Sequence, residues 1–163
     1  MIILGIDPGL ATLGYGVVEV AGTRQRALAF GVLTTPPDLA LPRRLCALFE
    51  GVERLMDQYA PDEVAVEELF FSKNVTTGIA VASARGAALA ALARRTEKLY
   101  EYTPMQVKQA VTGHGKADKR QMQTMVKMLL GMAEIARPDD AADALAVAIA
   151  HAGYRKMENL SRM

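Results

Sequence analysis

Residues 1–20 read MIILGIDPGLATLGYGVVEV, and the fold turns on how this stretch is parsed. Ile2 to Ile6 is an unbroken apolar run with no alternation, the mark of a strand buried on both faces. It ends abruptly in Asp7, and Pro8 and Gly9 follow at once. Proline presets φ and glycine accepts positive φ, so "DPGLATLG" predicts a turn. "YGVVEV" resumes as a second strand. "AGTRQ" turns again, and "RALAFGVLTT" predicts a third. Three strands on short connections make an antiparallel meander, with a carboxylate at the end of its buried first member.

Beyond Thr35 the periodicity changes. "PPDLALP" is a proline-rich loop. From Leu41 to Tyr59, apolar residues at Leu45, Leu48, Phe49, Val52, Leu55 and Met56 have helical spacing. "EVAVEELF" predicts a fourth strand, which crosses from β-branched residues into Glu67 and Glu68. A helix of small side chains follows from Asn74 to Arg95, then a short strand, "KLYEY". Thr103 and Pro104 form a helix start, the threonine as N-cap and the proline at the first helical position. "HGKAD" is a loop. A helix over Lys119–Leu130 comes next, and a final one opens near Pro138, with a frayed tail from about residue 157. The order predicts an α/β fold with a mixed five-stranded sheet flanked by helices, in one domain spanning 1–163.

Bulk properties narrow the class. The chain has 163 residues, about half of them apolar, enough for a sizeable core. Net charge is +1, so any basic surface is local. The one cysteine, Cys46, cannot pair within the chain and reads as a buried small apolar residue; a reducing, cytoplasmic setting fits. No leader or membrane span is expected, since the first apolar run is short and stops at Asp7.

The chemistry lies in the acids. Asp7 and Glu67 each end a strand, and in open α/β sheets sites collect at the carboxyl ends of strands. If strands one and four are parallel neighbours, the two carboxylates lie side by side. Asp140 and Asp143 are three residues apart on a helix and share a face. Asp139 points about 100° away and reads as a helix-start acid that favours the dipole. Asp143 sits among Ala142, Ala144, Leu145 and Val147, where an ionised group needs a partner. Glu68 alternates away from Glu67 toward solvent. Four converging carboxylates repel unless a cation is bound, and oxygen donors without clustered Cys or His suit Mg²⁺ or Mn²⁺. Two such ions are a standard device for in-line phosphodiester hydrolysis, one activating water and the other stabilising the leaving oxygen.

Between Pro104 and Gly131 stand five cations, Lys108, Lys116, Lys119, Arg120 and Lys127, against one acid, Asp118, a net +4. That is phosphate-neutralising chemistry just before the last carboxylates, unless it is only a solvated helix face. Phe70 and Phe71 follow Glu67 in a polar loop beside Lys73 and Asn74. An exposed aromatic next to a phosphate site can stack on unpaired bases. His114 lies in the basic loop; His151, late in the last helix, reads as structural.

Together, "GIDPGLATLGYGVV", "AVEELFFSKN", "VKQAVTGHGKADKRQMQ" and "DDAADALAVAIAH" resemble the RuvC-type Holliday junction resolvases, in the right order over nearly the whole chain. The resemblance implies a ribonuclease-H-like fold and a homodimer that binds four-way junction DNA and nicks two like-polarity strands symmetrically. It implies Asp7, Glu67, Asp140 and Asp143 as the catalytic acids, which would hold two Mg²⁺ per subunit with Mn²⁺ as a substitute. It matches Phe70 to an aromatic that stacks on a junction base, with Phe71 as a competing ring. Lys108 and Lys119 match basic residues used in DNA engagement and cleavage; Lys73, Lys116 and Arg120 are further candidate DNA contacts from the charge pattern alone. The implied partner is the RuvA–RuvB branch-migration machine. The small-residue helix from Asn74 to Arg95 is the candidate dimer surface, since symmetric cutting needs a two-fold axis.

Three other readings share parts of this pattern. Actin-like ATPases and sugar kinases open with a similar strand, Asp and glycine-rich hairpin, but need two lobes and a second phosphate loop. A non-enzymatic junction binder would keep the lysines without needing Glu67 or Asp143. A single-strand or RNA-directed nuclease of the same fold is nearest, and Phe70 and the basic segment argue only weakly against it.

Overall fold

The computed structural model describes residues 1–69 and 75–161. Five strands, β1 (Ile2–Asp7), β2 (Thr12–Ala21), β3 (Arg24–Thr34), β4 (Glu63–Glu67) and β5 (Leu99–Tyr102), form one sheet in the order β3-β2-β1-β4-β5. The β1–β2 and β2–β3 pairs are antiparallel; β1–β4 and β4–β5 are parallel. Helices α1 (Leu41–Tyr59), α2 (Val75–Ala93), α3 (Pro104–Thr112), α4 (Lys119–Leu129) and α5 (Asp139–Ser161) complete the chain. This is the mixed five-stranded, ribonuclease-H-like arrangement that the resemblance implies.

Strand parity divides the core in two. Leu4 and Ile6 of β1, with Val64 and Val66 of β4, face α1 and α2, where Leu48, Val52, Ala84, Ala88 and Leu92 are fully buried. Ile3 and Ala65 face the other way, into a layer built from α3, α4 and α5. β1 and β4 are therefore covered on both sides, which explains their uninterrupted apolar runs. β3, at the sheet edge, alternates between exposed and partly buried residues instead.

Local chemistry sets the helix ends. α1 begins with Pro42 in its first turn and stops at Ala60, whose φ of 41° is left-handed, just ahead of Pro61. At α3, Thr103 and Gln106 satisfy each other's backbone in a capping box, and Gly113 closes the helix at φ 84°. Asp118 and Gln121 make the same box at α4. α2 is long and apolar enough to cross a membrane by composition alone. Its buried stripe packs on α1, and Arg85 in its middle pairs with Glu101 of β5 at 2.5 Å.

Three readings of the sequence need correction. β2 starts at Thr12, three residues before the expected Tyr15, because Thr12, Leu13 and Gly14 pair with Thr34, Leu33 and Val32 of β3. Cys46 is exposed on α1 rather than buried; the stripe that meets the sheet runs through Leu48, Val52 and Leu55. α5 continues to Ser161, past the point where a loose tail was expected, with Arg155 and Glu158 paired one turn apart at 3.0 Å. Phe70, Phe71, Lys73 and Asn74 lie outside the described residues.

Candidate active site

Asp7 is the last residue of β1, and Glu67 the last of β4. Ile6 pairs with Val66 in the parallel ladder, so the two acids emerge side by side at the carboxyl edge of the sheet. Alternation from Ile3 through Gly5, and from Glu63 through Ala65, sends both side chains to the α5 face. Asp140 and Asp143 come to them from the first two turns of α5.

Glycine makes the meeting possible. A Cβ on Gly14, which pairs with Asp7, would collide with the backbone carbonyl of Asp140. A Cβ on Gly5 would collide with that of Ala144. Gly16, paired with Gly5, lies against the backbone of Leu145. The sheet thus offers a floor without side chains, and α5 settles onto it closer than any other residue type would allow.

Carboxylate oxygens of Asp7, Asp140 and Asp143 all lie within 4.8 Å of one another. Glu67 stands outside this trio but shares a hydrogen bond with Asp7. Burial, then repulsion from Glu67, Asp143 and Asp140, pushes Asp7 up to about 8. Burial and the Asp143 charge raise Glu67 to about 7, against the opposing pull of Asp7's hydrogen bond and of Lys108. Burial likewise raises Asp143, partly offset by Lys119. Such a cluster resists full ionisation at neutral pH unless positive charge is supplied. All-oxygen donors this close fit a hard divalent cation.

Cations flank the acids. Lys108 of α3 and Lys119 of α4 line a cleft of about 220 Å³ together with Glu67 and Asp143. Arg120 turns elsewhere and lines a neighbouring cleft with His114, while Lys116 is exposed on the intervening loop. Asp140 also borders a broad cleft of about 680 Å³ on its other side, beside Gly9, Thr12, Arg44 and Thr76. The acids therefore sit between two open grooves.

Three features escaped the sequence reading. The glycine floor was visible only as turn and strand glycines. The second is the partner set of Asp139: it stays out of the trio, as its position on the helix predicts, but its carboxylate is held by Lys119, Gln123 and Arg137. The third is a buried polar tie under α5. His151, fully buried, bonds Glu63 at 2.7 Å and the Tyr102 hydroxyl at 2.8 Å, while Arg155 grips both Glu63 oxygens at 3.0 Å. Burial opposes the charge on Glu63, but the hydrogen bonds from Arg155 and His151 prevail and hold it below the usual range. The apolar surroundings of His151 in the sequence agreed with a structural role, but Glu63 carried no signal of being its partner.

Comparison with known proteins agrees with this geometry. Residues 3–151 match the family described as crossover junction endodeoxyribonuclease RuvC. The chain is similar to a crossover junction endodeoxyribonuclease RuvC of Rubrobacter xylanophilus, 57% identical over 96% of this chain and 87% of that one. A RuvC of Desulforamulus reducens is also 57% identical, over 94% of each chain. Among solved structures, Thermus thermophilus RuvC in complex with Holliday junction substrate superposes with a TM-score of 0.91 and 40% identity, covering 97% of this chain and 96% of that one.

Proposed function

This chain belongs to the RuvC family of crossover junction endodeoxyribonucleases, and from that premise we infer how its residues divide the work. It is an endonuclease that resolves Holliday junctions. We assign catalysis to Asp7, Glu67, Asp140 and Asp143, as ligands of two Mg²⁺ ions per subunit, with Mn²⁺ as a substitute. The observation that carries this reading is the trio of carboxylates within 4.8 Å, backed by Glu67 and flanked by Lys108 and Lys119.

The chain's part is placement and charge. β1 and β4, held in the centre of the sheet, fix Asp7 and Glu67 against movement. Asp140 and Asp143 are fixed by α5 on its glycine floor. The proton held between Asp7 and Glu67 leaves when positive charge enters the cluster, because it is burial and mutual repulsion that retain it. Bound divalent ions supply charge that acidifies the attacking water and offsets the charge growing on the phosphate. Lys108 and Lys119 hold the phosphodiester over the acids, and Phe70, with Phe71 as the competing ring, stacks on a base at the junction. Lys73, Lys116 and Arg120 add further contacts to the DNA.

Paired nicks call for two copies. Val75, Ile79, Gly86, Ala90 and Ala93 lie along one exposed stripe of α2, with Val75 at 72% and Ile79 at 60% exposure in the isolated chain. A second copy covering this stripe gives a two-fold dimer with two clefts. RuvA–RuvB is the proposed partner machine, in the cytoplasm.

The test is cleavage of a synthetic four-way junction in Mg²⁺ or Mn²⁺, with Asp7→Asn alongside. Wild type should nick, and the variant should bind without nicking. Binding without nicking by wild type, or normal nicking by the variant, would refute the assignment.

A further inference from the structure

Asp139 stands beside a metal ligand yet faces away from the carboxylate trio. Its Oδ2 lies 2.9 Å from the Lys119 ammonium. Its Oδ1 accepts from the Gln123 side-chain amide at 2.9 Å and from Arg137 at 3.2 Å. Lys119 is the first residue of α4, where the helix dipole disfavours a cation, and no acid stands in that first turn. Gln123 follows one turn later on the same face, is 8% exposed, and reaches the same carboxylate. One acid therefore joins the start of α5 to the start of α4, and the lysine it holds lines the cleft beside Glu67 and Asp143.

We propose that Asp139 is a positioning residue for Lys119. A lysine carries a long flexible stem, and much of its catalytic worth is lost if the ammonium must first be found and oriented. Asp139, itself clamped by the buried Gln123, performs that orientation before DNA arrives. The pair is about half exposed, 58% at Lys119 and 44% at Asp139, so a phosphate can approach the same ammonium. An ammonium has three donors, and one carboxylate does not exhaust them. The inference rests on the reading that Lys119 engages the scissile phosphate.

The test is a double-mutant cycle on single-turnover junction cleavage, with enzyme in excess and Mg²⁺ present, using wild type, Asp139→Ala, Lys119→Met and the double variant. Junction affinity is measured separately without Mg²⁺. Asp139→Ala should slow cleavage at saturation about tenfold with affinity within about threefold, and should change the rate less than about twofold in the Lys119→Met background. Gln123→Met, which removes the clamp without altering charge, should give a smaller loss in the same direction. Equal fractional losses in both backgrounds overturn the proposal, as does an unchanged rate at saturation. If Lys119→Met cleaves like wild type, the reading of Lys119 falls and the proposal falls with it; if Lys119→Met is slow but the effects are additive, only the proposal falls.

Discussion

Asp7→Asn should make the metal-free protein more stable, by a margin that opens above about pH 4 and is full above about pH 8. The folded chain holds the Asp7 carboxyl near pH 8, against an ordinary value of 3.8. Between those limits the folded state keeps a proton that the unfolded state has released, so stability falls as pH rises. The slope is about 1.4 kcal/mol per pH unit for one proton, which sets a ceiling of about 6 kcal/mol above pH 8. The cleft is open to water, and screening reduces this to about 2–3 kcal/mol. Asparagine keeps the shape and removes the charge. At about 2–4 °C per kcal/mol for a chain of this size, the variant should melt about 4–12 °C higher at pH 8.5 in EDTA. Near pH 4 and below, where the unfolded chain keeps the Asp7 proton as well, the gap should close. Adding Mg²⁺ should raise the wild-type Tm and move the variant much less, since a ligand stabilises only the state that binds it. Thermal melts from pH 4 to 9, with and without Mg²⁺, make the comparison. A gap that is absent at pH 8.5, or the same at every pH, would refute the account of the carboxylate cluster.

Other consequences follow from packing and charge. Gly14→Ala drives a methyl into the Asp140 carbonyl; it should cost about 1–3 kcal/mol in denaturant titrations and abolish most nicking while junction binding persists. Lys108→Met should lower the slope of log affinity against log salt by about 0.9 for the one phosphate contact removed, as read by anisotropy titrations. Ile79→Asp places a charge on the exposed stripe of α2 and should shift sedimentation from dimer to monomer, with the two nicks of a junction no longer paired.

Much of this protein is written locally. Apolar runs, turn residues and helical spacing come from neighbours within one to four positions, so the element order and the α1 limits could be read directly. So could the Thr103 cap. The same local logic placed Asp7 and Glu67 at strand ends and Asp140 with Asp143 on one helix face. Boundaries were less legible where pairing overrode turn chemistry, as in Thr12–Gly14, whose strand conformation is imposed by β3.

What the tertiary structure alone decided was which surfaces meet. Parallel pairing of β1 with β4 turned two strand-end acids into neighbours. The absence of side chains at Gly5, Gly14 and Gly16 acquired meaning only once α5 lay on them. Asp139 and Asp140 are adjacent in sequence, yet one faces Lys119 and Gln123 and the other faces Asp7. Cys46 looked like core until the buried stripe of α1 was oriented on the sheet. Periodicity shows that an element has a face to bury; the long-range packing of the chain determines what that face meets, and so whether a carboxylate joins an acidic cluster or pairs with a lysine.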